Sequence, residues 1–245
     1  MPTMTIATSN ERPDLQEQAR TALRGGWPTF VLHDPLSNAH RERVGAYFAH
    51  FDVLLLEGDV VVADGRAVAL RWDGATDTLP AGYDGALVGA VTEHEAGVVP
   101  DTLAVMAVTV RPGRTGAGLA GRVITALRER AVAAGLERVI APVRPALKAR
   151  YPLTAMADFA RWTREDGLHL DPWIRTHQRL GASIVGPAPR SMVVPGTVAQ
   201  WERWTGMAFP QTGRYIVPDA LDLVEIDRER DQGLYAETNL WMRHL

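Results

Sequence analysis

The chain has 245 residues, 46% of them apolar, and a formal net charge of −3. That length and composition suit one large unit with a packed core. The weakly acidic balance argues against a nucleic-acid partner held by phosphate neutralisation. The absence of cysteine excludes disulfides, thiolate metal sites and a cysteine nucleophile. The polar stretch 1–20 does not read as a signal peptide, and no apolar run approaches the ~18 residues that span a bilayer. A cytoplasmic protein without a membrane partner is therefore expected.

In chain order, Leu15, Ala19 and Leu23 set a helix over 14–24 that Gly25 and Gly26 close. Residues 27–32 form an apolar stretch and 39–51 a second helix. The runs 52–57, 60–62 and 66–72, with a turn at 63–65, predict an antiparallel meander. Residues 73–84 are loop and 85–97 helical. Then come a strand over 103–110, a helix over 119–134 and a strand over 138–143, a unit that implies a parallel pair under a crossover helix. An insertion (144–173) precedes a helix over 172–180 that ends at Gly181. Strands at 182–186 and 191–198, a helix at 199–205 and β-rich stretches at 213–226 and 234–243 complete the chain. The C-terminus either completes the sheet or pairs with a second subunit as a homodimer. No repeat or linker interrupts this pattern.

The segment 110–120, VRPGRTGAGLA, carries the functional information. A strand runs into a glycine-dense turn that opens a helix. Small residues there let backbone amides approach an anion at the positive end of the helix dipole. Arg111, Arg114 and Arg122 surround the turn, and no acidic residue occurs from Val110 to Leu127. Three readings compete: a plain connecting turn, a dinucleotide loop spelled by Gly116, Gly118 and Gly121, and an acyl-coenzyme loop. The dinucleotide reading lacks the acidic residue expected ~20 positions on. A Walker loop fails for want of a Gly-Lys-Ser/Thr.

The same residues resemble motif A of the GNAT superfamily of acyl-CoA-dependent acetyltransferases, with Thr115 standing where that pattern has Arg or Gln. A second block, HQRLGA at 177–182, resembles the family's Tyr-x-x-Leu-Gly-Phe, with His177 at the tyrosine position. Shorter blocks at 26–35, 140–145 and 166–173 resemble the GNAT-like domains of polyketide loading modules. The resemblance implies an α/β fold with a mixed, mostly antiparallel central sheet, helices on both faces and a splayed central strand pair. It implies one domain over 1–245, with a coenzyme-binding core at about 100–145 and an acceptor and insertion region at about 146–245.

By that resemblance acetyl-CoA, or another acyl-CoA, is the co-substrate, and no metal is required. Met106, Val108 and Val110 would flank the pantetheine arm. Arg114, Thr115, Gly116, Ala117, Gly118, Leu119 and Ala120 would hold the pyrophosphate, with Arg114 replacing the missing motif charge. His177, Trp27 and Arg190 would line the acyl end, His177 moving the proton. The expected activity is acetyl transfer to an amine of a small-molecule or carrier-bound acceptor. Alternatives are a thioester S-acyltransferase or decarboxylase, a silent acyl-CoA-binding domain and, more remotely, an NADP oxidoreductase. Arg144, Lys148 and Arg150 are candidates for the 3′-phosphate of CoA. Glu93, His94 and Glu95 read as a solvated helix end, since neighbours on a helix do not converge on a metal. His33 and Asp34 read as a turn, Trp201 and Trp204 as packing. Asp158, Glu165, Asp166 and Asp171 read as a solvated loop.

Overall fold

A computed structural model describes residues 4–244, so Leu245 and the first three positions lie outside the described residues. Nine strands form one sheet in the order β1-β2-β3-β4-β5-β9-β8-β7, with β6 also paired to β9. The strands are β1 (Met4–Thr8), β2 (Val53–Glu57), β3 (Val60–Leu70), β4 (Thr102–Val110), β5 (Arg138–Val143), β6 (Ser183–Gly196), β7 (Gly213–Tyr215), β8 (Val224–Asp227) and β9 (Gln232–Arg243). The helices are α1 (Gln16–Leu23), α2 (Pro35–Phe48), α3 (Gly82–Glu95), α4 (Leu119–Ala133), α5 (Met156–Phe159), α6 (Pro172–Arg179) and α7 (Val198–Thr205). The mostly antiparallel sheet with helices on both faces is the expected fold class.

The only parallel pair among the described strands is β4–β5, bridged by α4, as the strand–helix–strand pattern predicts. That pairing is short. Thr102, Leu103 and Ala104 meet Arg138, Val139 and Ile140, and nothing pairs β4 to β5 beyond Ala104. On its other side β4 stays paired to β3 up to Val110. The two central strands therefore diverge into a fork that opens toward the loop 111–118.

Two strand readings change. The turn expected at 63–65 is the interior of β3, and the hairpin turns instead at Gly58 and Asp59, where Gly58 has φ +63°. Gly65 is small for another reason: a Cβ there would sit 2.4 Å from Val123 of α4. The strands expected at 182–186 and 191–198 are one strand, β6, kinked by bulges where its register against β9 shifts. β9 takes β6 along one edge and shares the other between β5 and β8, so the C-terminal stretch completes the sheet. The short strand β1 at the far edge was not anticipated.

Candidate active site at the fork of β4 and β5

β4 is irregular at the point where the fork opens. Arg66 pairs with Ala107 but Ala67 with Val105, so Met106 is an extra, bulged residue. A bulge turns backbone groups out of the ladder. Met106, Val108 and Val110 follow on one face, the face that carries α4. Thr109 and Ala107 lie on the opposite face.

Above the fork, the loop is built as the sequence requires. Gly113, Gly116 and Gly118 all adopt positive φ (81°, 84° and 73°), and Gly118 is the left-handed N-cap of α4. A Cβ added at Gly116 or Gly118 would meet nothing within 4 Å, so the glycines serve backbone conformation and open approach. Among the described residues no hydrogen bond engages the amides of Thr115, Gly116, Ala117 or Gly118. The first amides of α4, from Leu119 on, are free of intrahelical partners by geometry. Leu119 is buried and anchors the helix start. The result is a run of undonated N–H groups at a helix N-terminus, an anion-binding arrangement.

The arginine assignment changes. Arg114 is bound bidentately by Glu57 of β2, at 2.8 and 3.2 Å, so its charge is already matched. Arg111 and Arg122 make no such pair among the described residues and remain the available cations of the loop. Two members of the expected 3′-phosphate cluster of Arg144, Lys148 and Arg150 are engaged elsewhere. Arg144 donates to the buried carboxylate of Glu237 at 2.9 Å. Lys148 is fully buried, its Nζ bonded to the carbonyls of Leu221 and Tyr151 at 2.6 and 3.0 Å.

Trp27, His177 and Arg190 have different immediate neighbours. Trp27 stands at the open end of the fork, its Nε1 donating to Thr109 Oγ1 at 3.3 Å. His177 sits in the last turn of α6 and is 1% exposed. Its Nδ1 shares a 2.8 Å hydrogen bond with Nε2 of His244, whose own amide donates to the carbonyl of Val139. This pair thus lies at the closed end of the fork, where β4 and β5 are still bonded. Burial pushes His177 down to about 3 and His244 to about 4, so both rings are neutral at ordinary pH. Arg190 lies in the β6 bulge, beside a cavity under β9.

Sequence reasoning missed the acidic side of the fork, opposite α4. Asp64 of β3 pairs across to Thr109, is 4% exposed, and one carboxylate oxygen has no donor. Burial raises its pKa against the pull of Arg66. Tyr83 and Asp84 begin α3, which crosses this face to reach β6. The Tyr83 amide donates to Ser191 Oγ at 2.7 Å, and Asp84 accepts from Val193 at 3.0 Å. Asp84 neighbours Asp34, the buried N-cap of α2, and one Asp84 carboxylate oxygen is buried without a donor. The sequence offered one usable signal, an aspartate inside an apolar strand at 60–70.

The remaining candidates are structural. Glu93 accepts from the Arg71 amide, His94 stacks on Tyr47, and Glu95 accepts from Tyr47. Among the described residues no cluster of three or more potential ligands suits a metal ion. His33 stacks on Trp204, and Trp201 is fully buried. Asp171, expected in a solvated loop, is buried as the N-cap of α6 and also binds the Leu147 amide. No helix of the described residues is long and apolar enough to cross a membrane.

Residues 48–159, which hold the fork, the loop and α4, match the acetyltransferase (GNAT) family. That segment is similar to the GNAT superfamily. Together with an N-acetyltransferase relative, the match supports an acyltransferase enzyme. The chain is 28% identical over 274 aligned positions to arginine N-acetyltransferase avaD of Aspergillus versicolor, covering 99% of this chain and 94% of that protein. Its fold resembles the loading GNATL domain of CurA from Lyngbya majuscula, with a TM-score of 0.60 at 16% identity, covering 99% of this chain and 97% of that one.

Proposed function

We propose that this protein transfers an acetyl group from acetyl-CoA to an amine of a basic amino acid, arginine or a close analogue. One observation carries the reading: a bulged, half-unpaired β4 leads directly into a loop of undonated amides at the start of α4. The amides of residues 115–120 would bind the pyrophosphate, with Arg111 and Arg122 adding charge. The pantetheine arm would lie along the open edge of β4 and pair with it as an added strand. A backbone N–H near Met106 to Val108 would donate to the thioester oxygen as it gains charge. The likeness to an arginine N-acetyltransferase supports the acceptor class.

In this reaction the acceptor nitrogen attacks the thioester carbonyl carbon. The new N–C bond forms, the C–S bond breaks, and the electron pair leaves with CoA as thiolate, which takes up a proton. The buried, neutral His177 is poorly suited to that traffic. Asp64, joined to the open end of the fork through Thr109, is the group we assign to receive the amine proton. Asp34 and Asp84 add acidic character to the same face. Dry burial of Asp64 beside Arg66 supports a carboxyl poised to change protonation.

The test is a thiol-release assay with acetyl-CoA and L-arginine, the product confirmed by mass spectrometry, run beside malonyl-CoA with CO₂ detection. Acetylarginine formation is expected, with kcat lowered by about 10²-fold or more in Asp64→Asn, the scale of general-base catalysis, and KM for acetyl-CoA little changed. Decarboxylation of malonyl-CoA without amine acetylation would overturn the reading.

A further inference from the structure

A cavity of about 220 Å³ opens beside the end of β5, away from the amide loop. Its lining includes Pro152 from the segment after β5, Arg190 of β6, Arg214 of β7, Asp222 and Glu225 around β8, and Thr238 of β9. Thr238 stands two residues before Leu240, which pairs with Val143 where β5 ends. The cavity is smaller than the ~300–1,000 Å³ typical of larger ligands, and it suits a molecule the size of one amino acid.

Its charges are arranged in opposition. Arg190 and Arg214 supply cations, Asp222 and Glu225 anions. Arg214 is engaged by Glu225, though loosely, at 3.8 Å. Arg190 has neither a hydrogen bond nor an ion pair among the described residues, and a guanidinium cannot shed its charge. Asp222 accepts the Thr238 amide through one oxygen at 2.7 Å, and its other oxygen takes no hydrogen bond. Arg190 is also held at φ +50°, a left-handed backbone that a non-glycine residue adopts at a cost. It does so inside the bulge that interrupts β6 between the Ala188–Asn239 and Met192–Glu237 pairs. A strained backbone that presents an unpaired cation to a cavity facing a half-satisfied carboxylate is an arrangement for a zwitterion.

We infer that this cavity holds the polar groups of a carboxylate-bearing basic acceptor, with Arg190 pairing the carboxylate and Asp222 the cationic end. The inference rests on the amine-acetylation reading and makes Arg190 a specificity-determining residue. The test compares L-arginine with agmatine, which lacks the carboxylate, in the wild type, Arg190→Gly and Arg190→Lys. Glycine suits the left-handed backbone, so loss of function in that variant is not a folding defect. KM for arginine should rise about 10-fold or more in Arg190→Gly, the loss of one charge-assisted pair, and recover in part in Arg190→Lys. KM for agmatine and for acetyl-CoA should stay unchanged. An unchanged KM for arginine, or an equal rise for both amines, would overturn the inference. If the wild type acetylates neither amine, the functional reading fails, and calorimetry of arginine binding decides the cavity on its own. Binding lost in Arg190→Gly would uphold the cavity assignment, and no binding to the wild type would end it.

Discussion

Asp84 is a buried carboxyl whose nearest charged partners are other acids. Burial first, and then the neighbouring negative charges of Asp34 and Glu237, push it up to about 8. A raised native pKa means the folded protein keeps a proton that the unfolded chain, with an aspartate near 3.9, has released. The stability tied to that proton is complete at low pH and is lost as pH climbs from about 4 through about 8. Asp84→Asn should therefore melt at a higher temperature than wild type at pH 9 and show a flatter profile between pH 6 and 9. Parallel profiles for the two proteins would contradict the proton held on Asp84. The residue scale is also where the sequence was least legible. The block at 177–182 marks His177 as a candidate for chemistry, yet the decisive fact is His244, 67 positions away, which pairs with it in the dry interior. Likewise, Arg114 looks free beside the glycine loop because Glu57, its partner, lies on another strand.

Among the elements, α4 decides where the loop sits. Its apolar stripe, Leu119, Val123, Ile124 and Leu127, is buried, and the sequence periodicity revealed it directly. The surface it packs on was not legible. Gly65 looks like a turn residue beside Ala63 and Asp64, because an aspartate and a glycine together usually signal a turn. In the sheet it is the flat spot that lets α4 approach β3, since Val123 and Leu127 lie 2.4 and 2.9 Å from where a Cβ would stand. Gly65→Ala should cost roughly 1–3 kcal/mol in chemical denaturation, the range for overpacking, and should weaken acetyl-CoA binding by displacing the start of α4. A variant of unchanged stability and affinity would show that the helix accommodates the methyl group freely. Boundaries failed for a related reason at β6. Its bulges break the alternation of apolar and polar residues, so one strand of 14 residues reads as two.

For the molecule as a whole, function follows from an unfinished pairing. The strand–helix–strand unit could be read from periodicity and glycine placement, and with it the expectation of a parallel pair and a phosphate-binding turn. How far β4 and β5 stay together could not be read, because that depends on β9, which holds the opposite edge of β5 from Ile140 to Val143. With β9 on one side and β3 on the other, the two central strands are held apart above Ala104, and the gap points at the amides of residues 115–120. The acidic face opposite α4 is likewise assembled from β3, α2, α3 and β9, segments with no proximity in sequence. The most direct test of this account is a crystal structure of the protein with acetyl-CoA. The account predicts the diphosphate on the amides of residues 115–120 and the pantetheine along β4, with the thioester between Met106 and Val108. Coenzyme bound elsewhere, or a fork that remains empty at saturating acetyl-CoA, would contradict it.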